Sequence, residues 1–90
     1  MSKYDPLRSF LENVAIGVSD VTLTFQQMEI ILRLKLPPSA CEHGAWWANP
    51  ATPHDHPYAQ AWLAAGWKVG AVDQQGKWVR FQRLGRRAGI

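Results

Sequence analysis

This sequence is poor in the features that mark secreted, membrane or catalytic chains. Cys41 is its single cysteine, so no internal disulfide can form and nothing points to an oxidising compartment. Its uncharged apolar runs fall far short of the about 18 residues that a membrane span needs. The opening MSKYDPLRSF carries charges and a proline where a secretion signal carries an apolar stretch. A soluble cytoplasmic protein with no membrane partner is expected. Catalytic patterns are missing as well. There is no nucleophile motif, no glycine-rich phosphate loop and no pair of carboxylates at a meaningful spacing. The expectation is a non-enzyme that uses no cofactor.

Acid is absent from one end. Residues 1–73 hold Lys3, Arg8, Arg33, Lys35, Lys68 and all seven acids, a net charge of −2. Residues 74–90 hold Lys77, Arg80, Arg83, Arg86 and Arg87 with no acid, a net charge of +5. A one-ended basic segment is the electrostatic footprint of a protein that meets a polyanion. Trp78 and Phe81 are interleaved with these bases. The pattern favours nucleic acid, with double-stranded DNA as the expected partner, over a tail that only solubilises.

What the chain does have is bulk. Of its 90 residues 47% are hydrophobic and 11% aromatic, with five tryptophans. That is material for one core, and the length fits a single domain over residues 1–84 followed by a basic tail at 85–90.

The elements read as follows. Asp5 as N-cap and Pro6 at the first helical position open a helix whose stripe is Leu7, Phe10, Leu11 and Val14. Val21-Thr22-Leu23 reads as a short strand. Thr24 and Gln27 form a capping box for a helix that buries Phe25, Met28, Ile31 and Leu32 and stops by Leu36, before Pro37. Ser39 and Glu42 form a second box, which starts a helix over residues 40–48 and makes a tight helix-turn-helix. Residues 49–53 are loop. A further helix runs from Pro57 to Ala65, capped by Asp55 or His56 and stopped by Gly66, with Tyr58, Ala61, Trp62 and Ala65 inward. Residues 67–72 and 77–84 are the arms of a hairpin whose turn takes a positive φ at Gly76. In the second arm Val79 and Phe81 share one face with Lys77 and Arg83, and Trp78, Arg80 and Gln82 share the other. The predicted class is α+β: a winged-helix-like helix-turn-helix core with an extra helix and a C-terminal β-hairpin. A small α+β fold with helices packed on the hairpin is the alternative.

The words Tyr4-Asp5-Pro6-Leu7, Leu23-Thr24-Phe25, Leu36-Pro37-Pro38-Ser39-Ala40, Ala45-Trp46-Trp47-Ala48-Asn49, Ala61-Trp62-Leu63-Ala64-Ala65-Gly66-Trp67 and Val79-Arg80-Phe81 span nearly the whole chain. Through them it resembles a family of small bacterial domains of unknown function. The resemblance implies association with nucleic acid. In similar domains a base tends to follow the Ser-Ala pair, where this chain has Cys41.

The candidate site follows from these readings. In a helix-turn-helix the start of the second helix faces the base edges. Here those residues are Ser39, Cys41, Glu42 and His43, of which Glu can accept from cytosine and Ser can contact phosphate. No Arg, Lys, Asn or Gln lies between Ser39 and Ala48, so affinity rests on Lys77, Arg80, Arg83, Arg86 and Arg87 against phosphates. Trp46 and Trp47 diverge by about 100° on a helix. Either both are core, beside Trp62 and Trp67, or the outer ring stacks on a base or a protein partner. Cys41, His43, His54 and His56 lack the spacing of a zinc site, and no metal is expected. The reading is a small DNA-binding accessory or regulatory protein of a bacterium, phage or plasmid. The alternative is a protein–protein adaptor or inhibitor that uses a Trp-rich surface.

Overall fold

The structure, a computed structural model, describes residues 3–48 and 57–84. It is a mixed α+β arrangement. Among the described residues there are four short helices and one three-stranded antiparallel sheet: α1 (Asp5–Glu12), β1 (Asp20–Thr24), α2 (Phe25–Leu32), α3 (Pro38–Glu42), α4 (Pro57–Leu63), β2 (Trp67–Asp73) and β3 (Trp78–Arg83). A 3₁₀ turn, Gly44–Trp47, follows α3. None of the described helices is long and apolar enough to cross a membrane.

Local chemistry places most of the starts and stops. α2 begins as its capping box requires: Gln27 N–H donates to the Thr24 hydroxyl at 3.0 Å, and Thr24 N–H donates to the Gln27 side chain at 2.8 Å. α2 ends at Arg33, in the left-handed region with φ 59°. Leu36 N–H then donates to the Glu29 carboxylate at 2.9 Å, which ties the following turn back to the helix. α4 closes at Gly66, whose φ of 89° is open to glycine without strain.

Four expectations need correction. α1 starts one residue earlier than read, with Tyr4 rather than Asp5 at the N-cap position. The Ser39–Glu42 box does not form. Pro37 is the N-cap, extended at φ −68° and ψ 156°, and Pro38 takes the first helical turn, so Ser39 lies inside the helix. The helix expected over residues 40–48 breaks at His43 (φ −121°, ψ 112°) and resumes only as the 3₁₀ turn. In the hairpin, Lys77 rather than Gly76 takes the positive φ, at 60°. The loop at 49–53, the caps Asp55 and His56, and the tail at 85–90 lie outside the described residues.

The sheet order is β1-β3-β2. β3 is therefore central, paired with β1 from Asp20↔Gln82 to Thr24↔Trp78 and with β2 from Trp67↔Arg83 to Asp73↔Trp78. A register shift between Val69 and Ala71 marks a bulge at Gly70. A methyl group there would collide with the Gln82 side chain on the neighbouring strand. The alternation expected for β3 is present, with Val79 and Phe81 fully buried and Arg80 and Gln82 exposed.

The core lies between the inner face of the sheet and the helices, and among the described residues seven of the seventeen buried there are aromatic. Trp47 stacks on Phe25 at 5.3 Å and on Trp62 at 5.9 Å. Trp46 stacks on Tyr58 at 4.3 Å and meets Tyr4 edge-on at 6.3 Å. Rings in offset or edge contact at these separations add to the stabilisation from area burial alone. The 3₁₀ turn lets adjacent tryptophans both point inward: it lies between the α2 side, which receives Trp47, and the Tyr4–Tyr58 side, which receives Trp46.

Candidate nucleic-acid interface

The hairpin turn is built locally. The Asp73 carboxylate accepts the Gly76 N–H at 2.7 Å, an Asx-type closure. The Lys77 carbonyl accepts the Phe25 N–H at 2.8 Å, which fastens the turn to the start of α2. Lys77 therefore stands exposed at a fixed corner between helix and hairpin.

Three rows on from that corner the second arm divides its bases between two roles. Arg80 is exposed on the outer face of the central strand, its Nε 3.3 Å from the Thr22 hydroxyl and its guanidinium 5.5 Å from the Trp78 ring centre. Arg83 turns to the other side. Its guanidinium lies 4.4 Å from the Trp67 ring centre and donates to the Val18 carbonyl at 3.0 Å and the Ala15 carbonyl at 2.9 Å. Arg83 thus fixes the turn between α1 and β1. Arg86 and Arg87 lie outside the described residues.

On α3, Ser39 is half-buried, and Cys41, Glu42 and His43 are exposed. Cys41 faces the same open groove as Lys77, a depression of about 490 Å³ also lined by Thr24, Gln26 and Glu29. The groove brings one residue of the expected reading helix to one residue of the hairpin; Arg80 and Arg83 do not line it. α3 has five residues, so it presents little more than one turn.

Trp46 and Trp47 are 7% and 2% exposed, so of the two alternatives the structure has both as core, beside Trp62 and Trp67, and neither ring is presented for stacking. Trp47 Nε1 also donates to the Ala40 carbonyl at 2.7 Å, and the Gln74 side chain donates to that same oxygen at 3.0 Å. The Tyr4 hydroxyl is held above its ordinary value near 10, first by burial and then by Tyr58. Among the described residues no three His, Cys, Asp or Glu side chains gather as a metal would need. His54 and His56 lie outside them.

Two neighbours of Arg80 were missed in the sequence. Thr22 and Lys68 join its face only through strand register, Thr22 opposite Arg80 and Lys68 opposite Gln82. Local alternation carries Trp78, Arg80 and Gln82 but says nothing of which strands flank them.

Residues 4–85 match the model of a family described as a domain of unknown function (DUF7662). No curated protein and no solved structure matches the chain.

Proposed function

The chain belongs to the DUF7662 family, whose description assigns no activity, and from its own charge and geometry we propose that it is a small nucleic-acid-binding domain. The observation that carries this reading is the one-ended charge: five bases and no acid in residues 74–90, with Lys77 and Arg80 exposed on the hairpin. Contacts of this type go to phosphates and are independent of sequence, so double-stranded DNA of any composition is a sufficient ligand. Helix, strand, helix, short helices, then a hairpin is the order of a winged helix, which supports placing the hairpin as the wing. Specificity from Ser39, Cys41, Glu42 and His43 is secondary in this reading, because α3 is short and carries no Arg, Lys, Asn or Gln after Ser39. The role would be accessory or regulatory, in the cytoplasm of a bacterium, phage or plasmid host. The test is a titration of a fluorescent random duplex at several salt concentrations. Micromolar binding that weakens steeply with salt supports the reading, and no binding at low salt rejects it.

One observation favours a second reading, contact with a protein partner. Ile30 is 70% exposed beside Phe10 at 37%, over a depression of about 250 Å³ that Leu23 and Ile31 also line. Exposed apolar clusters of this kind mark protein contacts. In that case the surface is aliphatic and not the Trp-rich one expected of an adaptor, since Trp46 and Trp47 are core.

A further inference from the structure

The inner face of the sheet carries the helices, with Leu23, Val79 and Phe81 buried under them. The outer face is different. Thr22 and Thr24 on β1, Arg80 and Gln82 on β3 and Lys68 on β2 are all exposed. In their midst, on the central strand, stands a half-buried tryptophan, Trp78, paired with Thr24 on one side and Asp73 on the other. A large ring on the solvent side of a central strand adds nothing to the core, and the other four tryptophans supply the core already.

We propose that Trp78 is a stacking platform for an unpaired base of single-stranded nucleic acid, with Arg80 beside it to hold the adjoining phosphate. The proposal rests on the nucleic-acid reading above and narrows its ligand. Three observations carry it. The ring is half-buried on the outer face, and beside it stand the Thr24 hydroxyl and the Arg80 guanidinium, which can pair with a sugar–phosphate chain, with the Asp73 carboxylate across on β2. The Arg80 guanidinium is 5.5 Å from the ring centre, and Lys77 precedes the ring at the hairpin corner; Lys68 lies farther along the same face, opposite Gln82. Of the two carboxylates on this face, Asp20 stands at its far corner and Asp73 is engaged with the Gly76 N–H. Finally, the strand that bears Trp78 belongs to the chain segment that has five bases and no acid. A base inside a duplex is stacked on its neighbours and cannot use the ring; a base in a single strand can. Stacking is tolerant of sequence because every base has a π-face.

The burial pattern supplies a direct probe. Trp46, Trp47, Trp62 and Trp67 are 7% exposed or less, so quenching of tryptophan emission by an added oligonucleotide reads Trp78 almost alone. The experiment titrates the full chain with a thymidine 12-mer, the matching uridine 12-mer and a 12-base-pair duplex at one salt concentration. Anisotropy gives affinity and emission gives stacking. The expected result is that either single strand quenches the emission and binds more tightly than the duplex. Trp78→Leu, which keeps an apolar side chain, then loses about tenfold or more for the single strands and nothing for the duplex. Binding of single strands without quenching of the unaltered protein overturns the platform with no mutation needed, and so does a Trp78→Leu variant with unchanged single-strand affinity. If the duplex still binds in a salt-dependent way, the broader reading survives that failure. If no nucleic acid binds, both fall.

Discussion

The guanidinium of Arg83 lies 4.4 Å from the ring centre of Trp67, directly across the β2–β3 pairing. The same side chain donates to two carbonyls of the turn between α1 and β1. A base that the charge pattern offers to a polyanion is thereby committed to the fold. Arg83→Ala is expected to cost about 1–2 kcal/mol of stability, from one cation–π contact and two charge-assisted hydrogen bonds. Chemical denaturation measures it. An unchanged midpoint would mean that these contacts contribute nothing in solution.

Phe25 joins the first turn of α2 to the aromatic core, 4% exposed and stacked on Trp47. Phe25→Ala is expected to cost about 3–5 kcal/mol, a large share of the stability of a domain this small. Thr24→Ala, which removes only the cap, is expected to cost about 1 kcal/mol. Thermal unfolding of the two variants should separate clearly. Equal, small shifts would contradict the burial of Phe25.

Tyr4 gives the fold an alkaline limit. Burial raises its pKa above 10, so in the folded state it keeps its proton where the unfolded chain has lost it. The unfolded state then binds fewer protons, and stability falls as pH rises above about 10. Below that pH the contribution is fully present. In Tyr4→Phe the decline above pH 10 should be shallower than in the unaltered protein. Identical pH profiles between about 9 and 11 would remove Tyr4 from the account.

Trp47 and Trp46 should behave as core. Trp47→Phe keeps a ring but leaves the Ala40 carbonyl with only the Gln74 donor, and about 1–2 kcal/mol is expected. Neither Trp46→Phe nor Trp47→Phe should alter affinity for DNA beyond what partial unfolding explains. A drop in affinity at unchanged melting temperature would return that ring to the surface.

These residues also show which parts of the molecule are legible in sequence. The Thr24–Gln27 box is a closed local device, and it forms as read. The same four-residue spacing at Ser39–Glu42 fails because two prolines precede it: Pro38 starts the helix itself and pulls Ser39 inside. The break at His43 is only partly local. A continuous helix over residues 40–48 would have had to carry Gly44 and would have turned one of two adjacent indoles to water, whereas the broken path buries both. The site divides the same way. Charge asymmetry identifies Lys77 and Arg80, and strand alternation puts Trp78 on the face of Arg80, although the sequence points to Trp46 or Trp47 for the stacking ring. That Thr22 stands opposite Arg80 depends on the pairing of β1 with β3, whereas Arg83 beside Trp67 and Lys68 opposite Gln82 follow from the register of the hairpin, which alternation within one arm does not fix.

The central claim, that the exposed bases of the hairpin bind nucleic-acid phosphates, is tested most directly by the salt dependence of duplex binding with and without Lys77 and Arg80. The logarithm of the association constant is plotted against the logarithm of salt concentration for the unaltered chain and for the Lys77→Ala, Arg80→Ala double variant, on two duplexes of unrelated sequence. In the double variant the slope is expected to be weaker by about 1.8, with an equal loss of affinity on both duplexes. A slope that does not change on removing both bases, or a chain that binds neither duplex at about 50 mM salt, would contradict it.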